Sequence, residues 1–488
     1  MVKKLIRLNL SCLLLFILFT LSFGCSAMHN RERAAFNKLY NSGKYTEVAA
    51  IALKNKGNEK SDPSKLLQSM QASTALRYSK QYTESSSVFD ECEDIIKVQN
   101  EKLMAQNAMS NVGAVLVNDS VLDYTGSEYD GIMINTYKAL NFWQSGQNDL
   151  ARIEFNRALE RQRRAKERFA AKIQQQKEAI EKKQEEEKKN AENQKIKDQK
   201  NKCQKAPLPP LDIQKNLNNP DIATILNDKY SNLYEFKAYP DFINPFTTYM
   251  AGLFFMSQKD YKKADDLLKE TYGMVENNPI VADDFANVEK RLNGKKSNKD
   301  YVWIVFENGL GPVKEEFRID LPLFIFSDNV KYTGIALPKL KLRNQAYPYL
   351  TLKNNDKDIC KTCELASMDR VVQTEFKNEY NLILTRAIMC TLTKTCAQYM
   401  ANRKFGQLGG WAAACYQAAT TAADLRIWTA LPKDFQLAKV TTPSNGQLTI
   451  STPSGKDITV QVPQDSNSLI YLKIPTPGAK VVYDVVSF

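Results

Sequence analysis

A helix–turn–helix pattern that occurs four times before residue 300 restricts the fold of this chain most strongly. In the clearest copy, residues 137–143 place apolar side chains at helical spacing, and Gly146 lies in the polar turn that follows. Ala151, Phe155 and Ala158 then return at helical spacing. One such hairpin cannot bury its apolar face alone, so successive copies are predicted to stack.

The other three copies are spread along the same part of the chain. One occupies residues 249–272, with its turn at residues 257–260, and two weaker copies lie around residues 39–45 and 78–82. The order of small, bulky and small residues after each turn resembles the tetratricopeptide repeat, in which two helices pack closely. This resemblance implies an array of helices whose inner surface binds partner proteins.

A highly charged run separates the third copy from the fourth. Residues 157–202 contain sixteen Lys or Arg and nine Asp or Glu, with no Gly or Pro. Good helix formers dominate, so a long helix is predicted there, with too few apolar positions for a coiled coil. It is interpreted as a solvated spacer, or alternatively as a basic strut for anionic lipid or glycan.

From residue 299 onward the pattern changes to a mixed α+β module with antiparallel strands. Residues 301–306 form a strand-like run, and a helical stretch at residues 365–423 is interrupted at residues 406–410. Within residues 380–423 four basic residues, Arg386, Lys394, Arg403 and Lys404, divide the apolar sequence, so we predict a buried helix pair rather than a membrane span. Further strands are predicted at residues 313–326, 331–342, 448–451, 458–462, 469–474 and 481–486, with breaks at Pro322 and Pro338.

The fold class predicted for the whole chain is therefore multidomain, with an all-α part of helical repeats followed by an α+β module. The predicted segments are a signal peptide (1–24), repeats (25–156), a charged helix (157–205), a linker with a further repeat (206–298) and the α+β module (299–488).

The amino terminus has the organisation of an export signal. Three basic residues precede an apolar stretch at residues 12–19, and Gly24 then precedes Cys25. The sequence LSFGC resembles the lipobox of bacterial lipoproteins, although Ser22 stands where Leu is usual. The resemblance implies cleavage before Cys25, acylation of its thiol and, because Ser26 follows, an outer-membrane location facing the periplasm. An uncleaved anchor helix or an ordinary signal remains the alternative.

The composition excludes several classes of active site. His29 is the only histidine, which rules out Ser-His-Asp and Cys-His arrangements and any site with several histidine ligands. No metal, cofactor or nucleic-acid partner is predicted. The formal charge of +12, or +9 without residues 1–24, favours anionic partners. Cys360 and Cys363 form a C-x-x-C predicted to lie in a loop, as a local disulfide or as free thiols, with redox chemistry or zinc less favoured.

Three stretches together resemble a family of uncharacterised bacterial envelope lipoproteins with tetratricopeptide-like repeats. They are YDGIMINTYKALNFWQSG (129–146), VFENGLGPVKEEFRIDLP (305–322) and YQAATTAADLRIWTALPK (416–433). The resemblance implies export and a repeat-bearing body, and it supplies no activity.

These observations predict a non-enzymatic scaffold or regulator of cell-envelope assembly that binds envelope proteins through its helical repeats. Two alternatives remain open at this point. One is a glycan-processing hydrolase in the α+β module, which would use carboxylates such as Glu307, Glu315, Glu316 or Asp320. The other is a surface adhesin that binds polyanions through residues 157–202.

Overall fold

A computed structural model describes most of the chain after residue 33. The described residues are 34–56, 62–106, 124–200, 224, 228–233, 235–239, 243–275, 278–295, 299–321, 330–355 and 357–488. The predicted signal peptide, the predicted lipidation site at Cys25 and His29 lie outside these ranges, as does most of the predicted linker after residue 205.

The amino-terminal part is helical, as predicted. Residues 34–41 form a helix, and among the described residues eight longer helices follow it. They are α1 (Tyr45–Lys56), α2 (Leu66–Tyr78), α3 (Tyr82–Gln106), α4 (Glu128–Gln144), α5 (Asn148–Lys200), α6 (Pro245–Ser257), α7 (Tyr261–Met274) and α8 (Pro279–Leu292).

The four predicted turns are all present, and they share one backbone conformation. Each contains a residue in the left-handed region, with φ of 72° at Gly43, 63° at Lys80, 73° at Gly146 and 61° at Lys259. Such a residue ends one helix and reverses the chain into the next. The four helical pairs are therefore confirmed, and their identity as tetratricopeptide repeats stays a prediction.

The predicted charged helix begins earlier than residue 157. It is the continuation of α5, which starts at Asn148 as the second helix of the third pair and runs without interruption to Lys200. At its start α5 is amphipathic, and Ala151, Phe155 and Ala158 are fully buried against α4. One element is thus both a packed repeat helix and the charged extension.

The carboxy-terminal part contains eleven described strands and one long helical segment. They are β1 (Tyr301–Asn308), β2 (Val313–Leu321), β3 (Thr333–Lys341), β4 (Thr351–Asn354), β5 (Lys357–Lys361), β6 (Cys363–Ser367), α9 (Met368–Thr420), β7 (Asp434–Thr441), β8 (Gln447–Ser451), β9 (Asp457–Gln461), β10 (Ser468–Ile474) and β11 (Val482–Ser487).

The strands form a five-stranded sheet in the order β11-β10-β1-β7-β6, a four-stranded sheet in the order β5-β4-β8-β9, and the pair β2-β3. All pairings are antiparallel except β1 with β10, which is parallel. The long chain segment between β1 and β10 permits this parallel pairing, which short connections cannot form. The prediction of mostly antiparallel strands is therefore confirmed.

Two local predictions in this part are wrong. Pro338 does not interrupt a strand, because it lies within β3 opposite Glu316 in a two-stranded ribbon, where a missing backbone donor can face outward. The C-x-x-C is not in a loop, because Cys360 belongs to β5 and Cys363 begins β6.

Segment α9 is a pair of antiparallel helices that meet at Gly406. This residue has φ 70° and ψ −165°, so the chain reverses there. Gln398 Nε2 donates to Gln417 Oε1 (3.2 Å) and Lys394 Nζ donates to the Thr420 carbonyl (3.0 Å), which ties the two helices together. Apolar side chains on the inner face of the pair are buried, as predicted, among them Leu384, Ile388, Met389 and Ala414, whereas residues 404–408 are exposed.

The helices and the five-stranded sheet share one hydrophobic core. Phe246 of α6 stacks on Phe435 of β7 with ring centroids 3.5 Å apart, and Tyr137 of α4 meets Trp428 edge to face at 5.9 Å. Trp143 contacts Phe488 at the end of the chain. The helical surface on which the repeat resemblance would place a partner is thus packed against the chain's own sheet.

Candidate functional site

A buried cluster of charged and phenolic groups lies between the helices and the sheet. Glu307, at the end of β1, is fully buried and faces Lys473 of β10, which is 1% exposed. The parallel pairing aligns these two residues, and Lys473 Nζ lies 3.0 Å from Glu307 Oε2. Tyr78 of α2 and Tyr471 of β10 also donate their hydroxyls to the Glu307 carboxylate.

Groups from both the helices and the sheet stabilise the buried charge of Glu307: Tyr78 belongs to α2, and Tyr471 and Lys473 belong to β10. Removing two charges from water costs several kcal/mol, so a buried ion pair is tolerated only where further hydrogen bonds satisfy the remaining oxygens. Burial lowers the pKa of Lys473, and the Glu307 carboxylate opposes that shift. For Tyr78 and Tyr471 burial raises the pKa, and the negative charge of Glu307 raises it further. The two phenols therefore remain protonated donors at neutral pH.

Arg77 covers the helical side of this cluster. Its guanidinium lies over the rings of Tyr78, Tyr137 and Tyr471 at 5.9, 5.4 and 5.1 Å. The Nη1 atom donates to Asn141 Oδ1 (2.7 Å) and to a glutamine of the same helix. The rings and amides compensate partly for the lost hydration of a cation that is only 2% exposed.

These contacts are typical of a structural connection between the helices and the sheet rather than of an active site. Glu307 is enclosed by protein groups, which leaves a substrate no access to its carboxylate. The other three candidate carboxylates have separate partners: Glu315 pairs with Lys341, Glu316 accepts from the Ala423 amide, and Asp320 pairs with Arg318. The structure therefore provides no observation that favours the hydrolase alternative.

A second charged cluster fixes the base of α5. Lys138 of α4 is 1% exposed and contacts Asp90 (2.7 Å), Glu93 and Glu154 (3.1 Å). Arg161 of α5 adds a contact to Glu93 at 2.9 Å. Burial alone would raise the pKa of Glu93, but Lys138, Asn135 and Arg161 outweigh it and hold that pKa at about 2.

Beyond this base, most of the described side chains of α5 are exposed. Phe169 is the last fully packed side chain, and Ile173 still touches the core. Every side chain that the structure describes from residue 174 onward is exposed; these are Gln174, Lys177, Glu178, Glu181, Lys182, Glu185 and Lys189. Thirty-one residues of helix beyond Phe169 extend about 45 Å at 1.5 Å per residue. We call residues 170–200 the α5 arm.

A small cavity lies beside the arm's base, between α3, α5 and the residues before α4. Its volume is about 40 Å³, and its lining includes Arg161, Arg168 and Glu128. This volume accommodates water molecules and is far below the several hundred cubic ångströms of a typical ligand site.

The two candidate cysteines are separate thiols in the structure. Burial raises the pKa of both Cys360 and Cys363, which disfavours the reactive thiolate. A disulfide between them stays a prediction. Among the described residues, no group of three or more His, Cys, Asp or Glu side chains could hold a metal ion.

The sequence contains one indication of the buried cluster. Glu307 directly follows the apolar run 301–306, where a turn was predicted, and Lys473 interrupts the apolar run of the predicted strand 469–474. Opposite charges inside two buried strands indicate a pair, because each would be costly alone. By contrast, the contributions of Arg77, Tyr78 and Tyr137 depend on tertiary packing that the repeat pattern does not specify.

Comparisons with known proteins add no relative from which a site could be transferred. No protein-family profile, curated protein or solved structure matches the chain. None of the described helices is both long and apolar enough to cross a membrane.

Proposed function

We propose that this protein is a lipid-anchored, non-enzymatic scaffold of the cell envelope, held through Cys25 and facing the periplasm from the outer membrane. It binds envelope proteins on the outer surfaces of its helices. The inner surfaces are not available for this purpose, because the sheet covers them. The family resemblance and the export signal in the sequence support the location, and the exposed α5 arm supports the scaffold role.

The arm is the observation on which the scaffold role depends. An ion-pair network locks its base to α3 and α4, while the side chains that the structure describes between residues 174 and 189 are all exposed. A helix fixed at one end and solvated along its length presents a long surface at a set distance from the body. Residues 170–200 contain nine basic and seven acidic residues, a mixture that suits protein contacts better than a polyanion.

The test is site-specific photocrosslinking in cells. A photoreactive amino acid at Lys177 or Lys182 of the arm should yield a defined set of protein adducts, and the same probe at Lys456, in an exposed turn of the sheet, should not. If the arm gives no protein adduct, or the same adducts as position 456, the scaffold role through this arm is wrong. Adducts that disappear on raising the salt and contain glycan or lipid would instead support the polyanion-binding adhesin.

The anchor is tested separately by mass spectrometry of the mature amino terminus. We expect a chain that begins at Cys25 and carries acyl groups, with the Cys25→Ser chain as the unmodified control. A wild-type chain that begins upstream of Cys25 without acyl groups would contradict the anchor and leave the crosslinking result to be judged on its own.

A further inference from the structure

The tip of the α9 helix pair displays a cluster of large apolar side chains to solvent. We call residues 400–416 the hairpin tip. Its two most exposed large apolar side chains are Leu408 (78%) and Phe405 (63%), and Tyr416, Trp411 and Met400 are 56%, 45% and 39% exposed. Single exposed apolar residues are ordinary, but five within seventeen residues indicate a surface that is covered in use.

Glycine fixes the shape of this tip. Gly406 supplies the positive φ at which the chain reverses. A Cβ on Gly409 would lie 2.6 Å from the Ala401 carbonyl oxygen, and one on Gly410 would lie 2.6 Å from Asn402 Oδ1. The two helices therefore approach at a distance that only glycine permits. The result is a narrow projecting end with Phe405 and Leu408 outermost.

The parts of the two α9 helices next to the hairpin tip are fixed to β2 and to the residues before β3. The Gln398 side chain is fully buried, accepts from the Tyr332 amide (3.1 Å) and donates to the Tyr332 carbonyl (3.0 Å) ahead of β3. Arg318 of β2 donates to the carbonyls of Ala418 (2.8 Å) and Thr421 (2.7 Å). Because β2 and β3 clamp both helices of the pair, the exposed tip is not a frayed end.

The charge around the tip has one sign. Residues 380–423 contain Arg386, Lys394, Arg403 and Lys404 and no Asp or Glu. Arg403 lies 5.8 Å from the Tyr399 ring and Lys404 lies 5.4 Å from the Phe405 ring. Neither makes an ion pair with another described residue. An apolar end flanked by aromatic rings and cations is the composition of segments that enter the boundary between lipid headgroups and acyl chains.

We propose that the hairpin tip is a membrane-docking element that inserts Phe405 and Leu408 into an anionic leaflet. Trp411 and Tyr416 then lie near the headgroups, where Arg403 and Lys404 meet lipid phosphates. A lipid surface is fluid and can accommodate a projecting end of any shape. A protein partner would instead need a pocket shaped to receive the two outermost side chains. This contact is additional to the Cys25 anchor and does not depend on it.

The test uses the full chain with an environment-sensitive fluorophore carried by a non-natural amino acid at position 408, and a matched chain with the fluorophore at Lys456. Each is mixed with vesicles of phosphatidylglycerol and phosphatidylethanolamine that contain nitroxide-labelled lipid, and with vesicles of phosphatidylcholine alone. Reading the contact at one residue separates the tip from any membrane attachment near residue 25.

We expect the probe at 408, and not that at 456, to shift to shorter wavelength and to be quenched by nitroxide lipid in the anionic vesicles. The double substitution Arg403→Glu, Lys404→Glu should weaken this contact roughly tenfold or more, since both cations lose their attraction to the surface. A probe at 408 that stays in water when vesicles are added overturns the proposal. So does a probe that becomes shielded without vesicles as the protein concentration rises, which would identify another copy of the chain as the occupant.

Discussion

Glu307 and Lys473 show how single residues connect the two halves of this protein. Each is costly inside the core by itself, and each becomes tolerable only when β1 and β10 lie side by side in parallel. The hydroxyl of Tyr78, at the end of α2, satisfies a further part of the same carboxylate. A helix end and two strands are thus held in one arrangement by a few polar atoms.

This arrangement predicts a strongly non-additive mutant cycle. Lys473→Met leaves a buried carboxylate without its cation and should cost about 3–5 kcal/mol of stability. Combining it with Glu307→Gln should recover part of that loss, because the carboxylate that Lys473→Met leaves without its lysine is then also removed. Thermal unfolding midpoints of the two single variants and the double variant measure the coupling. Losses that simply add would show that the two side chains do not interact.

Glu93 makes the stability of the α5 base depend on pH. Its pKa is about 2 in the folded chain against an ordinary value of 4.5. A carboxyl whose pKa is lower in the folded state contributes its full stability above about 4.5 and loses it as the pH falls towards 2. Glu93→Gln should therefore reduce the difference in unfolding midpoint between pH 5 and pH 3. Glu315→Gln, on an exposed strand, is the control and should leave that difference unchanged.

Cys360 and Cys363 should react slowly with alkylating agents. Burial raises the pKa of both thiols, so little thiolate is present at pH 7, and both side chains are partly covered. Peptide mapping after timed exposure to iodoacetamide should show Cys415, which is exposed, modified well before either of them. If both became modified only after treatment with a reductant, they would be a disulfide and not thiols.

At the scale of elements, the sequence was informative wherever local chemistry decides the outcome. The four helical turns were predicted because a short polar segment separates two stretches with apolar residues at helical spacing. Glycine takes the positive φ in two of them, at Gly43 and Gly146, whereas Lys80 and Lys259 take it in the other two. The break in α9 was predicted from its glycines. Strands such as β8 and β10 were predicted from compact runs of apolar residues between turn residues.

The elements that were missed depend on non-local pairing. Strand β7, with sequence DFQLAKVT, has too much polarity for a buried run, yet it lies between β1 and β6 in the main sheet. Its Lys439 is accommodated because Asp284 of α8 lies 2.6 Å away. Residues 360–363 were predicted as a loop and residues 365–367 as the start of a helix, but they contribute to β5 and β6, whose order comes from pairing with β4 and β7. Neither the shared core nor the outward course of α5 could be predicted from periodicity.

The α5 arm should unfold without affecting the body. Gln174→Pro places a proline just beyond the packed base, where it removes a helical hydrogen bond and costs about 3 kcal/mol locally. Because the arm has exposed side chains, we expect a smaller circular-dichroism signal at 222 nm and an unchanged midpoint for the body. Ala158→Pro, one turn after the buried Phe155, is the contrasting variant and should lower that midpoint strongly. Equal effects of the two prolines would mean that the arm is packed.

For the whole molecule, the shared core implies that helices and sheet unfold together. Trp428 lies on the sheet side, but its ring contacts Phe89 and Tyr137 of the helices, and its Nε1 donates to Thr74 Oγ1 at 3.1 Å. A side chain that belongs to both halves should affect both. This property distinguishes one cooperative body from two domains joined by a linker, which would have separate cores.

Trp428→Ala should therefore destabilise α2 and β10 by the same amount, about 3–5 kcal/mol, because it leaves a cavity where the two halves meet. Hydrogen exchange of backbone amides, followed separately in α2 and β10, measures each half within one sample. Trp411→Ala is the matched control: this tryptophan lies in the hairpin tip and is 45% exposed, so its loss should change neither set of amides by more than about 0.5 kcal/mol. Faster exchange confined to one half of the Trp428 variant would mean that the helices and the sheet are stable independently, despite the aromatic contacts between them.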